Sequence, residues 1–315
     1  MTSTHTKQYL SSTLHELGSL IAQYCKSDGV YQTDFPALSL IRNTDETPIY
    51  TVYEPSICLV AQGEKLVLLG EEQYHYGPSE YFAVSVDLPI SGQVIKASPD
   101  APYLAVRLQI DAQHILELMR DMEHIPASQG ELERGLFVSH ADTDMVDAFV
   151  RLLKLIDKPE DLPILAPMIA REILYRALRG KQGNALRQMA PGAGRAAYIA
   201  EIIQHIRDTY SEPLHIDELA SKVNLSPSSL YRHFRDVTMM SPVQFQKQIR
   251  LQEARNMLLN DSIQAAEVAF QVGYESPSQF NREYARMFGL PPISDIRRLQ
   301  STSASIMNED EMIHD

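Results

Sequence analysis

Tryptophan is absent from this sequence, and cysteine occurs only twice in 315 residues, at Cys25 and Cys58. Two thiols in a chain of this size exclude a disulfide scaffold and point to free thiols in a reducing compartment. Cys58 lies in the apolar run Ile57-Cys58-Leu59-Val60 and reads as a buried structural thiol, with a redox or electrophile sensor as the alternative. No run approaches the ~18 consecutive apolar residues of a membrane span. Residues Met1 to Lys7 have no apolar segment of the kind a secretory leader carries, so a cytoplasmic protein is expected. Histidine is scarce where a metal would need it: between residues 35 and 110 only His75 occurs, while His114 and Glu117 fall on a later helical stretch. That is a poor ligand set for a transition metal. No glycine-rich phosphate loop and no nucleophile pattern is present either. The expectation is no metal, no cofactor and no catalytic residues.

An excess of basic residues is also missing, since the net charge is −13. It is unevenly spread: residues 1–194 carry −9, residues 195–300 are neutral with twelve charges of each sign, and the remainder carries −4. A nucleic-acid partner for the neutral segment therefore has to be held by local arginine placement rather than by a general basic field.

What the sequence does hold is one unit written twice. The first copy runs Leu219-Ala220, Val223, a turn, then Ser226-Pro227-Ser228-Ser229-Leu230-Tyr231-Arg232-His233-Phe234. The second runs Val268-Ala269, Val272, a turn, then Ser276-Pro277-Ser278-Gln279-Phe280-Asn281-Arg282-Glu283-Tyr284. Each reads as a short helix, a tight turn and a second helix. A serine hydroxyl caps free backbone N–H groups, and proline at the first helical position lacks the N–H that would go unbonded. Asn224 and Gly273 hold equivalent turn positions, where both tolerate positive φ. Helical spacing puts Leu230 and Phe234, and Phe280 and Tyr284, on inward faces. The opposite faces carry Ser228, Ser229, Tyr231 and Arg232 in one helix and Ser278, Gln279, Asn281 and Arg282 in the other. These are the residues expected to touch base edges, because arginine pairs with guanine, and asparagine or glutamine with adenine. Arg235 and Arg286 are expected at phosphates, which set register. Between the copies, Ser241-Pro242 opens a helix without internal glycine or proline through Leu259. At 1.5 Å per residue it spans ~27 Å, near the ~34 Å between successive major grooves on one side of DNA.

Residues from about 196 to 299 resemble the DNA-binding domain of the AraC/XylS family of bacterial transcription regulators, most clearly over Val272 to Tyr284. The family's closing pattern puts an aromatic residue before an arginine soon after the last proline, whereas this chain has Pro291-Pro292-Ile293-Ser294-Asp295-Ile296-Arg297-Arg298. Upstream, short apolar runs at Ala37–Ile41, Ile57–Ala61, Lys65–Leu69, Tyr81–Val86, Val94–Ala97 and Tyr103–Ile110, separated by turn residues, predict a sandwich or small barrel. Tyr53-Glu54-Pro55-Ser56, Ala61-Gln62-Gly63, Ser85 to Pro89 and Ala101 to Leu104 are similar to the cupin-like N-terminal domain of one AraC-type subgroup. The resemblance implies an effector-binding and dimerising module.

The expected architecture is an α+β two-domain chain. A cupin-like β-barrel or sandwich with flanking helices (residues 1–189) is followed by a linker (190–194) and an all-α domain with two helix-turn-helix units (195–300). An acidic tail (301–315) has little to bury and is expected to be disordered. Helices are expected over residues 8–26, from Asp111 to Met122, over Asp144–Ile156 and over Ile164–Arg179; Gly180 to Gly183 is a breaker. Effector-pocket candidates are Tyr53, Gln62, Tyr74, His75, Tyr81 and Arg107. The implied function is a sequence-specific transcription regulator, by resemblance an activator, whose partners are double-stranded DNA, a small-molecule effector, RNA polymerase and a second copy of the chain. Two alternatives are a metal-binding or enzymatic cupin fused to a DNA reader, and a helical scaffold that binds no DNA.

Overall fold

The computed structural model describes residues 2–122, 132–190, 195–260 and 263–301. Helix α1 (Thr2–Tyr24) precedes strands β1 (Gly29–Gln32), β2 (Leu38–Asn43), β3 (Ile49–Tyr53), β4 (Ser56–Gln62), β5 (Glu64–Leu69), β6 (Glu72–Tyr76), β7 (Glu80–Val84), β8 (Leu88–Lys96) and β9 (Tyr103–Gln109). Helix α2 (Ala112–Asp121), capped by the Asp111 carboxylate, leads to β10 (Leu136–His140), α3 (Thr143–Lys154), α4 (Leu162–Arg179) and α5 (Gly183–Arg187). The strands form two antiparallel sheets, one ordered β1-β2-β9-β4-β7-β10 and one ordered β3-β8-β5-β6.

The six-stranded sheet is buried on both faces, and residue parity decides which core each side chain joins. Leu59, Ala83 and Val106 face α1, α3 and α4, where Leu17, Ile21, Phe149 and Leu153 complete one apolar cluster. Their neighbours Cys58, Phe82 and Ala105 face the four-stranded sheet, meeting Val67, Leu69, Ile90 and Val94. The result is a sandwich with a helical layer on one side.

The C-terminal helices are α6 (Arg195–Asp208), α7 (Ile216–Lys222), α8 (Pro227–Thr238), α9 (Pro242–Asn260), α10 (Ala265–Gln271) and α11 (Pro277–Phe288), with residues 292–301 helical as well. Ser226 and Ser276 cap α8 and α11 by accepting from the N–H groups of Ser229 and Gln279. Ser241 and Gln244 cap α9 reciprocally. Asn224 (φ 54°) and Gly273 (φ 89°) make the two turns. At Gly273 a Cβ would run into the Ser211 carbonyl, so glycine is required by space as well as by φ.

The sandwich interior and the first helix-turn-helix form one continuous apolar cluster. Its α6 stripe, Ile199, Ile202, Ile203 and Ile206, is at most 2% exposed. Burying each such side chain is worth ~1.5–3 kcal/mol before the entropy of ordering it. Across the boundary Val86 and Val237 flank Gly135, whose N–H donates to the Val237 carbonyl at 2.9 Å. Arg207 of α6 pairs with Asp87 at 2.7 Å. One expectation needs correction: Gly183 opens a short helix instead of extending the break at Gly180. Residues 191–194 of the linker and the tail beyond Ser301 lie outside the described residues; Ser301 itself is helical.

Candidate nucleic-acid interface and buried ligand site

Both second helices turn the expected face outward. Leu230, Phe234, Phe280 and Tyr284 are fully buried, while Ser228, Tyr231, Arg232 and Arg235 on α8 are exposed. So are Ser278, Gln279, Asn281, Arg282 and Arg286 on α11. Ser229 is half-buried and bonds the capping Ser226 hydroxyl at 3.0 Å.

The two copies are mounted differently. On α11, Glu283 accepts from Lys247 Nζ of α9 at 3.0 Å, from the Tyr274 hydroxyl at 2.9 Å and from Gln279 at 3.4 Å. Burial alone raises the pKa of this carboxyl, and those three donors more than reverse it, so the net shift is downward. Glu283 thereby holds the Gln279 amide at the outer face. The matching position on α8 is His233, which is buried and lowered in pKa by desolvation and by Arg232 and Arg195.

Helix α9 is the strut between the copies, with 19 residues, or ~28 Å at 1.5 Å per residue. Arg250, midway along it, donates to the carbonyls of Tyr210 (2.6 Å), Gly273 (2.8 Å) and Glu212 (2.9 Å). One guanidinium thus ties the loop after α6 to the turn of the second unit. The end of the chain is fixed by another arginine. Arg255 meets the fully buried Asp295 bidentately at 2.8 and 3.0 Å, and Asp295 also accepts from Tyr284 and Arg298 at 3.0 Å each. The residue directly before Arg297, where the family pattern has an aromatic, is Ile296, which is buried in the apolar cluster of the second unit. Tyr50 of β3 packs edge-on against Phe288 and lies under Arg255, so the sandwich touches the second unit too.

Among the described residues, one charged side chain lies fully buried in the apolar lining of the sandwich. Lys65 of β5 points inward beside Val67 and Leu69 and is 7% exposed. Its ammonium donates to Tyr53 Oη at 2.8 Å and lies 5.4 and 5.8 Å from the Tyr53 and Tyr103 ring centres. Desolvation pulls its pKa down, but the Tyr53 oxygen outweighs that and holds it above the ordinary lysine value. Arg107, paired in register with Cys58, bonds Ser39 Oγ at 3.0 Å. Burial pushes the Cys58 thiol up in pKa, and the Cys25 thiol to about 11, so neither is an activated nucleophile.

Of the pocket candidates, Tyr53 belongs to this interior, and Arg107 is half-buried on the Cys58 side of the six-stranded sheet. Tyr74, bonded to Glu72, lies at its margin. Gln62 donates to the Pro102 carbonyl at a strand corner, His75 is exposed, and Tyr81 faces the helical layer against Phe137. Lys65, Tyr76 and Tyr103 were missed. Their signal was strand alternation, which sets Lys65 in phase with Val67 and Leu69. Among the described residues no group of three His, Cys, Asp or Glu side chains is placed to hold a metal, and no helix is long and apolar enough to cross a membrane.

The pattern for the N-terminus of AraC-type transcriptional regulators matches residues 34–185, and a helix-turn-helix domain pattern matches residues 219–298. The chain is 28% identical over 162 residues to the HTH-type transcriptional regulator GbdR of Pseudomonas aeruginosa, covering 51% of this chain but 43% of GbdR. It is 21% identical over 244 residues to the lactose operon transcription activator of Staphylococcus xylosus, covering 76% and 82% of the two. The fold is similar to that of ToxT from Vibrio cholerae, at a TM-score of 0.55 and 10% identity over 82% of this chain and 97% of ToxT. ToxT has also been solved with an unsaturated fatty acid bound.

Proposed function

Because the chain belongs to the AraC family of transcriptional regulators, we propose that it reads operator DNA with both helix-turn-helix units and answers to a small molecule held by its sandwich domain. The observation that carries this is the pair of exposed polar faces on α8 and α11, each backed by a buried aromatic and joined through α9. Arg232 and Arg282 contact base edges, with Ser228, Ser229 and Tyr231 in the first groove and Ser278, Gln279 and Asn281 in the second. Arg235 and Arg286 meet phosphates. The domain division falls at residues 190–194. The protein acts in the cytoplasm without catalysing a reaction, as an activator in contact with RNA polymerase; the activator named among its relatives supports that sign.

A homodimer is supported by α4, which leaves Ile164 and Met168 69% and 64% exposed, one helical turn apart, beside an apolar groove of about 470 Å³. Effector control is supported by β5, which carries Lys65 at one end and at the other leads into Gly70, against Met239 at the end of α8. The ToxT complex with a fatty acid supports a ligand-holding role for a domain of this fold. The test is selection of bound fragments from the host genome followed by footprinting. Protection spanning two successive major grooves on one face of the duplex is expected. Protection limited to half a turn, or no shift of random duplex at low salt, overturns the reading.

A further inference from the structure

Lys65 lies inside the sandwich, and Arg107, half-buried on the same side of the six-stranded sheet as Cys58, lines a crevice that also contains Glu54. Among the described residues neither Lys65 nor Arg107 has a carboxylate partner; the first bonds only a phenol and the second a serine. The two also oppose each other electrostatically. Charged side chains are almost never buried unless paired, because an unpaired one forfeits its hydration without return. Lys65 has three N–H donors and one acceptor in place. Beside it the buried Tyr103 hydroxyl makes no hydrogen bond of standard geometry and has the Tyr76 hydroxyl and the Cys58 thiol as its polar neighbours. Across the sheet is Gly92, where a Cβ would sit 2.8 Å from Lys65 Cε and 3.0 Å from Tyr53 Oη. A side chain at that position would fill the room the ammonium and phenol occupy. The surroundings are otherwise aromatic: Tyr76 stacks on Phe82 at 5.0 Å, and Tyr53 meets Phe82 edge-on at 5.8 Å.

We propose that Lys65 anchors the carboxylate of a small organic acid held between the two sheets, with the Tyr103 and Tyr53 hydroxyls completing its hydrogen bonds and the Tyr76–Phe82 pair packing on its apolar body. The proposal rests on the reading of the sandwich as the effector domain and names the chemical class of that effector. One buried ammonium flanked by neutral phenols suits a monoanion with two acceptor oxygens. A phosphate, carrying about two charges and more acceptors, needs more donors than this set supplies.

The experiment is calorimetric titration and thermal melting of the full chain with benzoate and octanoate, each matched by its neutral counterpart, benzyl alcohol and octanol. At least one acid is expected to bind and raise the melting temperature, with its alcohol at least tenfold weaker. Lys65→Met should weaken the acid at least tenfold, and should raise the melting temperature of the unliganded chain, since it removes an unpaired buried cation. Tyr103→Phe should weaken the acid while leaving the unliganded melt unchanged. A Lys65→Met chain that melts below wild type, or fails to fold, marks the lysine as structural and overturns the proposal. So does failure of both acids to bind. An alcohol that binds as tightly as its acid overturns the anion site and leaves the effector reading standing. An acid that binds through Lys65 without changing operator affinity keeps the site and sinks the effector reading.

Discussion

Arg250 is the side chain on which the spacing of the two DNA-reading units depends most directly. It donates to three carbonyls, of Tyr210, Glu212 and Gly273, at 2.6 to 2.9 Å. Burial lowers its pKa, yet an arginine remains charged throughout the accessible pH range. A hydrogen bond from a charged donor is worth ~1.5–3 kcal/mol, and a carbonyl left buried without a partner costs ~1–3 kcal/mol. The Glu212 bond is exposed and readily replaced by water, so the Tyr210 and Gly273 carbonyls decide the outcome. Allowing for non-additivity, Arg250→Ala should destabilise the second unit by ~3 kcal/mol. A chain of two coupled domains has no single unfolding free energy. The assay is therefore amide hydrogen exchange resolved by segment. Protection in α10 and α11 should fall by ~100-fold, because 1.4 kcal/mol is a factor of ten. Protection in the sandwich should hold. Affinity for a duplex carrying both half-sites should drop further than affinity for either alone, since the loss lies in relative placement. Unchanged exchange in α10–α11, or equal losses on the two kinds of duplex, refutes the assignment of Arg250 as the mount.

Other substitutions probe the remaining supports. Arg255→Met leaves Asp295 buried with half its cationic partners gone, and should cost ~3–5 kcal/mol in the protection of α11; lysine should not rescue it, lacking the planar fork. A cost below ~1 kcal/mol by the same exchange measurement would show that Tyr284 and Arg298 suffice. Arg282→Ala should cost ~1–3 kcal/mol at the cognate site and relax one base preference, while an equal loss on every sequence marks a phosphate contact. The thiols carry the pH prediction. Cys25 is raised to about 11 and Cys58 is raised by burial, so folding favours the protonated forms. That contribution is complete below the free-thiol pKa of ~8.5 and is lost as pH climbs toward the folded values. Neither thiol should react with dithiobis(nitrobenzoate) at pH 8 until the chain is unfolded. Rapid titration of one thiol in the folded chain would restore the sensor reading of Cys58.

How much of this was open to inspection in the sequence depends on how local the determining forces are. The helix-turn-helix units were fully legible, because caps, turn residues and a helical stripe are all set within a few residues of one another. Strands β1, β3, β6 and β10 escaped notice. They are short, they alternate in exposure or lie largely exposed, and they are strands because distant partners pair with them; Leu136 of β10 lies opposite Val84 of β7. The division of the six-stranded sheet was hidden for another reason. With helices on one face and a sheet on the other, both parities are apolar, so nothing local says that Phe82 faces the sandwich interior and Tyr81 does not. Lys65 is the opposite case. Its alternation with Val67 and Leu69 was visible, but a lysine in a strand ordinarily faces water, and only the closure of the second sheet puts it inside.

The shared core gives effector control a physical route. A ligand shifts an equilibrium only by its differential affinity for the two states. In a chain whose domains met through a flexible tether alone, occupancy of the sandwich would have no state of the DNA reader to prefer. Here it has one. The five steps from Lys65 to Gly70 span ~17 Å at 3.3 Å each, a stiff element with the ammonium at one end and Met239 at the other. The carbonyls of Asp236 and Val237, in the last turn of α8, accept from Arg134 and Gly135 of the sandwich. The Gly70–Glu71 turn borders the same crevice, of about 730 Å³, that Arg232 and Arg235 line. A carboxylate that relieved the unpaired charge on Lys65 would favour whichever register of β5 suits it. That strand meets the end of α8 at Met239, and Arg250 joins the loop after α6 to the turn of the second unit.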